Sequence, residues 1–213
     1  QMEMNFKAIE DNATGRRYAR VKELLEASLV HSTSSFAKVL RDVDGLSGEK
    51  IGVGNELAVN QMLAHHSVMF KPSERKFWVA TEPYQLGEYL CYDLNDVFSE
   101  EGESVSNVNV IDSFNVERAE FLESDEYASF VAYKKLLPKM KDAIGNEASF
   151  DGVDKFIATN PNYFYTYELV GDYYKMKSDL ENSNRNYEQA LSKQIPNLVE
   201  RQRVEKKMAG LVN

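Results

Sequence analysis

The chain has 213 residues, of which 43% are hydrophobic and 28% charged, with a formal net charge of −9. Those values describe a globular protein of one large or two small domains, and the acidic balance argues against nucleic acid, whose phosphates need basic patches. No apolar run approaches the roughly 20 residues that span a bilayer, and a lone cysteine, Cys91, excludes an internal disulfide.

Gln1 stands where translation would place Met, so the expectation is a chain that was cut or is a piece of a longer one. A secretory signal lost upstream would then go unseen, and the compartment is left open, secretion and the periplasm included. Met2 to Phe6 alternates apolar and polar residues and reads as a terminal or edge strand. Asp11 to Thr14 offers helix caps, and Tyr18, Val21, Leu24, Leu25 and Leu29 then fall on one helical stripe. Arg16, Arg17, Arg20, Lys22 and Glu23 occupy mostly the other face. Asn12-Ala13-Thr14 matches a glycosylation sequon but reads as a cap. His31 to Ser34 caps a second helix with Phe36, Val39, Leu40 and Val43 inward, ended by Gly45. The glycine-rich stretch from Gly45 to Gly54 lacks the Gly-Lys-Ser/Thr of a phosphate loop.

From His65 to Leu94 the sequence reads as a small sheet. Two runs of β-branched and aromatic residues flank a polar turn at Pro72 and Ser73, a hairpin signal. A third run, Tyr89 to Tyr92, follows the break at Pro83 and Gly87. Met62, Val68, Phe70, Phe77, Trp78 and Val79 are too many apolar side chains for two short helices and three strands to hide, so an uncovered face is expected. Cys91 reads as a small buried residue rather than a reactive thiol.

Asn55-Glu56, Asn60-Gln61, Ala64-His65-His66-Ser67-Val68-Met69-Phe70, Trp78-Val79-Ala80, Pro83-Tyr84-Gln85-Leu86-Gly87 and Tyr92-Asp93-Leu94 form a string of local matches. In them the chain resembles the acyl-coenzyme A:6-aminopenicillanic acid acyltransferase-like enzymes, relatives of choloylglycine hydrolase. The similarity covers about Met2 to Phe98, at the C-terminal end of the catalytic domain in that family. It implies an N-terminal-nucleophile hydrolase with an αββα sandwich, a cysteine freed by self-cleavage, and a small linear amide as substrate. No cysteine stands near Gln1, so the nucleophile lies outside these residues and no catalytic residue is assigned in this chain. The resemblance also puts the start of the first strand beside the substrate pocket, which makes His65 and His66, and more weakly Asn60, pocket candidates. Adjacent histidines on a strand point to opposite faces. With one cysteine and only His31 besides, neither a metal nor a cofactor is expected.

Between Asn95 and Ala128 ten acidic residues face one base, Arg118, and carry the whole net charge of the chain. This belt reads as a solvated connector, and Glu100-Glu101-Gly102-Glu103 lacks the spacing of a calcium loop. A helix is expected over Val116 to Leu137, interrupted or kinked by Pro138. A short one follows around Phe150 to Ile157, stopped by Asn160-Pro161. Counting Phe164 as position 1, Gly171 stands at 8, Ser183 at 20 and Ala190 at 27. That pattern resembles one tetratricopeptide repeat, in which small residues let two helices approach. A degenerate unit precedes it, and Asn197 to Leu211 would cap it.

The expectation is therefore an α+β chain. Residues 1–98 form a partial αββα-type sheet and its helices, residues 99–116 an acidic linker, and residues 117–213 an all-α, tetratricopeptide-like tail. Its function would be that of the C-terminal part of an amidohydrolase or acyltransferase acting on linear amide bonds. The expected partners are the upstream part of the same polypeptide or, through the exposed sheet, a second copy. The rival reading is a non-catalytic interaction protein whose tail binds a protein or peptide.

Overall fold

The computed structural model describes residues 12–28, 31–98 and 109–211. The expected strand at Met2–Phe6, Leu29 of the first helical stripe and the Glu100–Glu103 run lie outside these residues. Among the described residues the architecture is α+β: eight α-helices and one three-stranded antiparallel sheet.

Helix α1 (Ala13–Ala27) starts at Asn12, whose side chain accepts a hydrogen bond from the Gly15 amide, the cap role expected of it. Arg20 departs from expectation. It is 8% exposed and grips Asp42 with Nε and Nη2 at 3.0 and 2.9 Å. An arginine on the polar face has been drawn inward by a carboxylate that matches its planar fork. Helix α2 (Thr33–Leu40) opens with a capping box, Ser32 and Ser35 bonding each other's amides. It stops at Arg41, five residues into the stretch that the periodicity began at Phe36 and well before Gly45.

The sheet comprises β1 (Val68–Lys71), β2 (Lys76–Ala80) and β3 (Tyr89–Asp93), in that order across the sheet. The turn after β1 is the expected hairpin: Pro72–Glu74 form one 3-10 turn, and Arg75 takes a left-handed conformation to re-enter β2. The register sets Val68, Val79 and Leu90 in one cross-strand row and Phe70, Phe77 and Tyr92 in another, on the same face. The opposite face carries Met69, Trp78 and Cys91 and packs on Ala37, Leu40, Ile111 and Val116. Met62 and Trp78, expected among the uncovered residues, are each 2% exposed. Trp78 lies on the helix-covered face, and Met62 turns into the main core.

Helix α3 (Leu94–Val97) is a single turn. Val116 to Ala119, expected as helix, is not helical, and only Glu120–Glu123 make a 3-10 turn. Val116 exchanges both backbone hydrogen bonds with Tyr89 at 2.9 Å, and Ile111 N–H reaches Cys91 O, so this segment seals the β3 edge. Satisfying the backbone of a buried strand outweighs the helical periodicity. Helix α4 (Asp125–Gly145) then begins after the Ser124 cap and runs through Pro138. Pro138 and Lys134 are both exposed, so the carbonyl deprived of its partner faces solvent and the helix continues.

Helix α5 (Val153–Thr159) ends before Pro161 as expected, and α6 (Phe164–Met176), α7 (Leu180–Leu191) and α8 (Leu198–Ala209) complete the chain. Helices α6 and α7 touch at Gly171. A Cβ there would lie 2.5 Å from the Tyr187 ring, and Ser183 Oγ donates to Gly171 O at 2.9 Å.

One core crosses the acidic belt. Val43, Val53, Met62 and Leu86 share a cluster with Phe130, Tyr133, Met140, Phe156 and Val170. The loop around Val53 is stitched to the tail: Asn160 Nδ2 donates to Val53 O at 2.9 Å, and Asn55 Nδ2 to Gln194 O at 3.1 Å. Gly52, at φ +87°, lies so close to Tyr163 that a Cβ would meet its backbone nitrogen at 2.5 Å.

Candidate functional site

The three residues singled out by the resemblance do not converge. Asn60 is fully buried, with both ends of its amide committed: Nδ2 donates to Tyr84 O at 2.7 Å and Oδ1 accepts from the Met62 amide at 3.0 Å. Enclosed in this way, it holds one loop on another and presents no surface to a ligand. His65 and His66 sit in the loop before β1 rather than on the strand, and both are exposed.

Cys91 is fully buried among Ala37, Trp78, Tyr89 and Val116. Burial pushes its thiol above the ordinary value and outweighs the opposing pull of Lys76, with smaller upward pushes from Asp93 and Glu74. A thiol in that state is a poor nucleophile. Among the described residues no group of three or more His, Cys, Asp and Glu could hold a metal ion.

What the elements do assemble is a surface. The hairpin and β3 place six apolar side chains, Val68, Phe70, Phe77, Val79, Leu90 and Tyr92, over one face of the sheet. None of the six is buried, and Phe70 is 65% exposed. Phe77 stacks between Phe70 and Tyr92, with ring centroids 6.1 and 5.2 Å away, so the aromatic row is ordered by its own contacts. The β1 edge adjoins this face. Ala80 N–H bonds Ser67 O, which fixes the alternation and turns the amides and carbonyls of Val68 and Phe70 away from β2. Those groups have no partner among the described residues. The β3 edge is sealed by the segment from Ile111 to Val116, and the β1 edge stands open.

A second concave feature lies on the helix-covered side. A groove of about 370 Å³ runs between Val21, Leu25, Phe36, Met69 and Trp78, with His31 and Lys71 at its border. Leu29 and Val30, which join the two helices that line it, lie outside the described residues.

Sequence reasoning found four of the six residues on the open face. It missed Leu90 and Tyr92, although the alternation through Tyr89–Asp93 carries the signal: residues paired with Val79 and Phe77 must share their face.

No protein-family model matches the chain, and no curated protein and no solved structure matches it.

Proposed function

We propose that this chain is the C-terminal part of an amide-bond hydrolase or acyltransferase of the N-terminal-nucleophile kind, acting on a small linear amide through a cysteine in another stretch of polypeptide. The observation that carries the reading is the uncovered apolar face beside an open strand edge. A sheet covered by helices on one face and bare and apolar on the other is what one half of an αββα sandwich looks like without its facing sheet. The resemblance at Asn55–Leu94 supplies the chemistry, and buried Cys91 leaves the nucleophile to be found elsewhere.

The occupant of that face is a sheet from the upstream part of the same polypeptide. Three strands of four or five residues offer a footprint of about 14 by 17 Å at most. A two-fold contact through it alone would fall short of the roughly 800 Å² per partner that a stable dimer buries. A facing sheet that also adds a strand to β1 would cover more and satisfy the free backbone groups of Val68 and Phe70.

In this reading the helical half is a tetratricopeptide-like buttress. Small residues at the α6–α7 contact, Gly171, Ser183 and Ala190, support that assignment. Its inner face packs on the loop around Val53 rather than standing free for a peptide.

The test is expression of the polypeptide together with its natural upstream coding sequence. The expected result is a self-cleaved chain with a new N-terminal cysteine that hydrolyses simple acyl amides, while the present residues alone are silent. Phe77→Asp should separate the two parts. An upstream region without a cysteine, or amide turnover by these residues alone, overturns the reading.

A further inference from the structure

The side chain that nothing above uses is Arg41, at the end of α2. It is only partly exposed, and it spends one edge of its guanidinium on backbone: Nε donates to Gln85 O at 2.8 Å and Nη2 to Gly87 O at 2.7 Å. Its carbon lies 5.2 Å from the Tyr89 ring centroid. No carboxylate pairs with it among the described residues. Burial pulls its proton affinity down, and only the Tyr89 hydroxyl acts against that. A desolvated cation without a counter-charge is costly unless something supplies one.

Arg41 lines a cavity of about 370 Å³ together with Ser34, Lys38 and Arg118. Lys38 and Arg118 make no ion pair among the described residues, and Arg118 is the single base in an acidic stretch. The guanidinium edge opposite Nε, formed by Nη1 and the second hydrogen of Nη2, makes no hydrogen bond among the described residues. Two rim carboxylates, Glu117 and Glu120, share the wall. Neither is ion-paired or hydrogen-bonded to Arg41, which bonds the carbonyls of Gln85 and Gly87.

We propose that this cavity binds a small carboxylate, held end-on by the Arg41 fork and surrounded by Arg118, Lys38 and the Ser34 hydroxyl. The planar fork matches a carboxylate bidentately. Three cations against two rim acids leave one net positive charge, which suits a monoanion and penalises a phosphate dianion. The site does not depend on the amide-hydrolase reading, because it is complete within this chain.

The test is titration of the chain with butyrate at constant ionic strength, followed through the Arg41 Nε–H resonance, with inorganic phosphate as the comparison anion. Butyrate should saturate in the millimolar range and bind more tightly than phosphate. The Lys38→Ala/Arg118→Ala double variant, altered only at the cavity rim, should bind several-fold more weakly with an unchanged melting temperature. Glu117→Gln should bind more tightly. Arg41→Gln should not bind; if it unfolds, the double variant decides alone. A response that never saturates, one the double variant leaves unchanged, or tighter binding of phosphate overturns the assignment.

Discussion

In the helical half, the buried carboxylate of Glu168, 1% exposed in its side chain, is met by Arg203 at 2.8 and 2.6 Å and by Lys207 at 2.7 Å. Lys207 also reaches Asp172, which accepts from the Tyr187 hydroxyl, so α6, α7 and α8 are joined by one network. In the sheet, none of the six apolar side chains on one face is buried, and the adjoining strand edge is unpaired among the described residues. The contrast separates two kinds of surface. The helical network meets a buried charge with charges from the same half. Apolar area left in water is where a contact would gain the most.

The comparison breaks first where the two regions meet. Gly52→Ala would place a methyl group 2.5 Å from the Tyr163 backbone at a φ that disfavours any side chain. The left-handed strain and the overpacking together should cost about 2–5 kcal/mol, and a single denaturation transition should shift for sheet and helices alike. Separate transitions would mean that the regions are independent.

Gly171→Leu tests the interior of the helical half. The ring of Tyr187 must move to admit it, at about 1–3 kcal/mol. Thermal melts without a shift would remove the close α6–α7 contact.

Glu168→Gln should cost about 1–3 kcal/mol at neutral pH, reduced from the fully buried case because Arg203 and Lys207 reach solvent. Burial works against the Glu168 charge, but the hydrogen bonds from Arg203 and Lys207 outweigh it and hold the carboxyl below its ordinary value of 4.5. A group with a depressed folded pKa binds its proton more readily when unfolded. Its contribution is therefore full above about pH 4.5 and is lost as the pH falls through the lower folded value. The variant should show a shallower loss of stability across that window; an identical acid limb would remove Glu168 as its source.

The smallest effect on stability is expected on the open face. Phe70→Ser should change the stability of the chain by less than about 0.5 kcal/mol, because the side chain is already in water. It should nevertheless reduce self-association in sedimentation. A large destabilisation would show that the face is covered within the chain.

The sheet and the α5–α8 helices were legible because their signals are local. Pro72-Ser73 marks a turn, Asn160-Pro161 stops a helix, and Gly171, Ser183 and Ala190 recur at helical spacing. Val116–Ala119 departs from the helix its apolar spacing suits because the β3 edge, distant in sequence, recruits the Val116 backbone. Arg20 and Asn60 were misplaced for the same reason. Asp42 and Tyr84, which decide their environments, lie 22 and 24 residues away. At the candidate site, the alternation exposed part of the apolar face, but only the strand register could add Leu90 and Tyr92. The Arg41 cavity left no sequence signal, since its guanidinium is held by carbonyls that any residue could provide.

The buried asparagines Asn55 and Asn160 bond carbonyls 139 and 107 residues away along the chain. Ties of that span cannot form until most of the polypeptide has been made, so folding during synthesis should wait for the last helices, and contact order should slow it. The same ties make the molecule a natural split protein. Cut within the acidic stretch, the two pieces should remain together through the Val53–Asn160 seam and elute as one species until denaturant parts them. Expressed separately, they should regain that species on mixing.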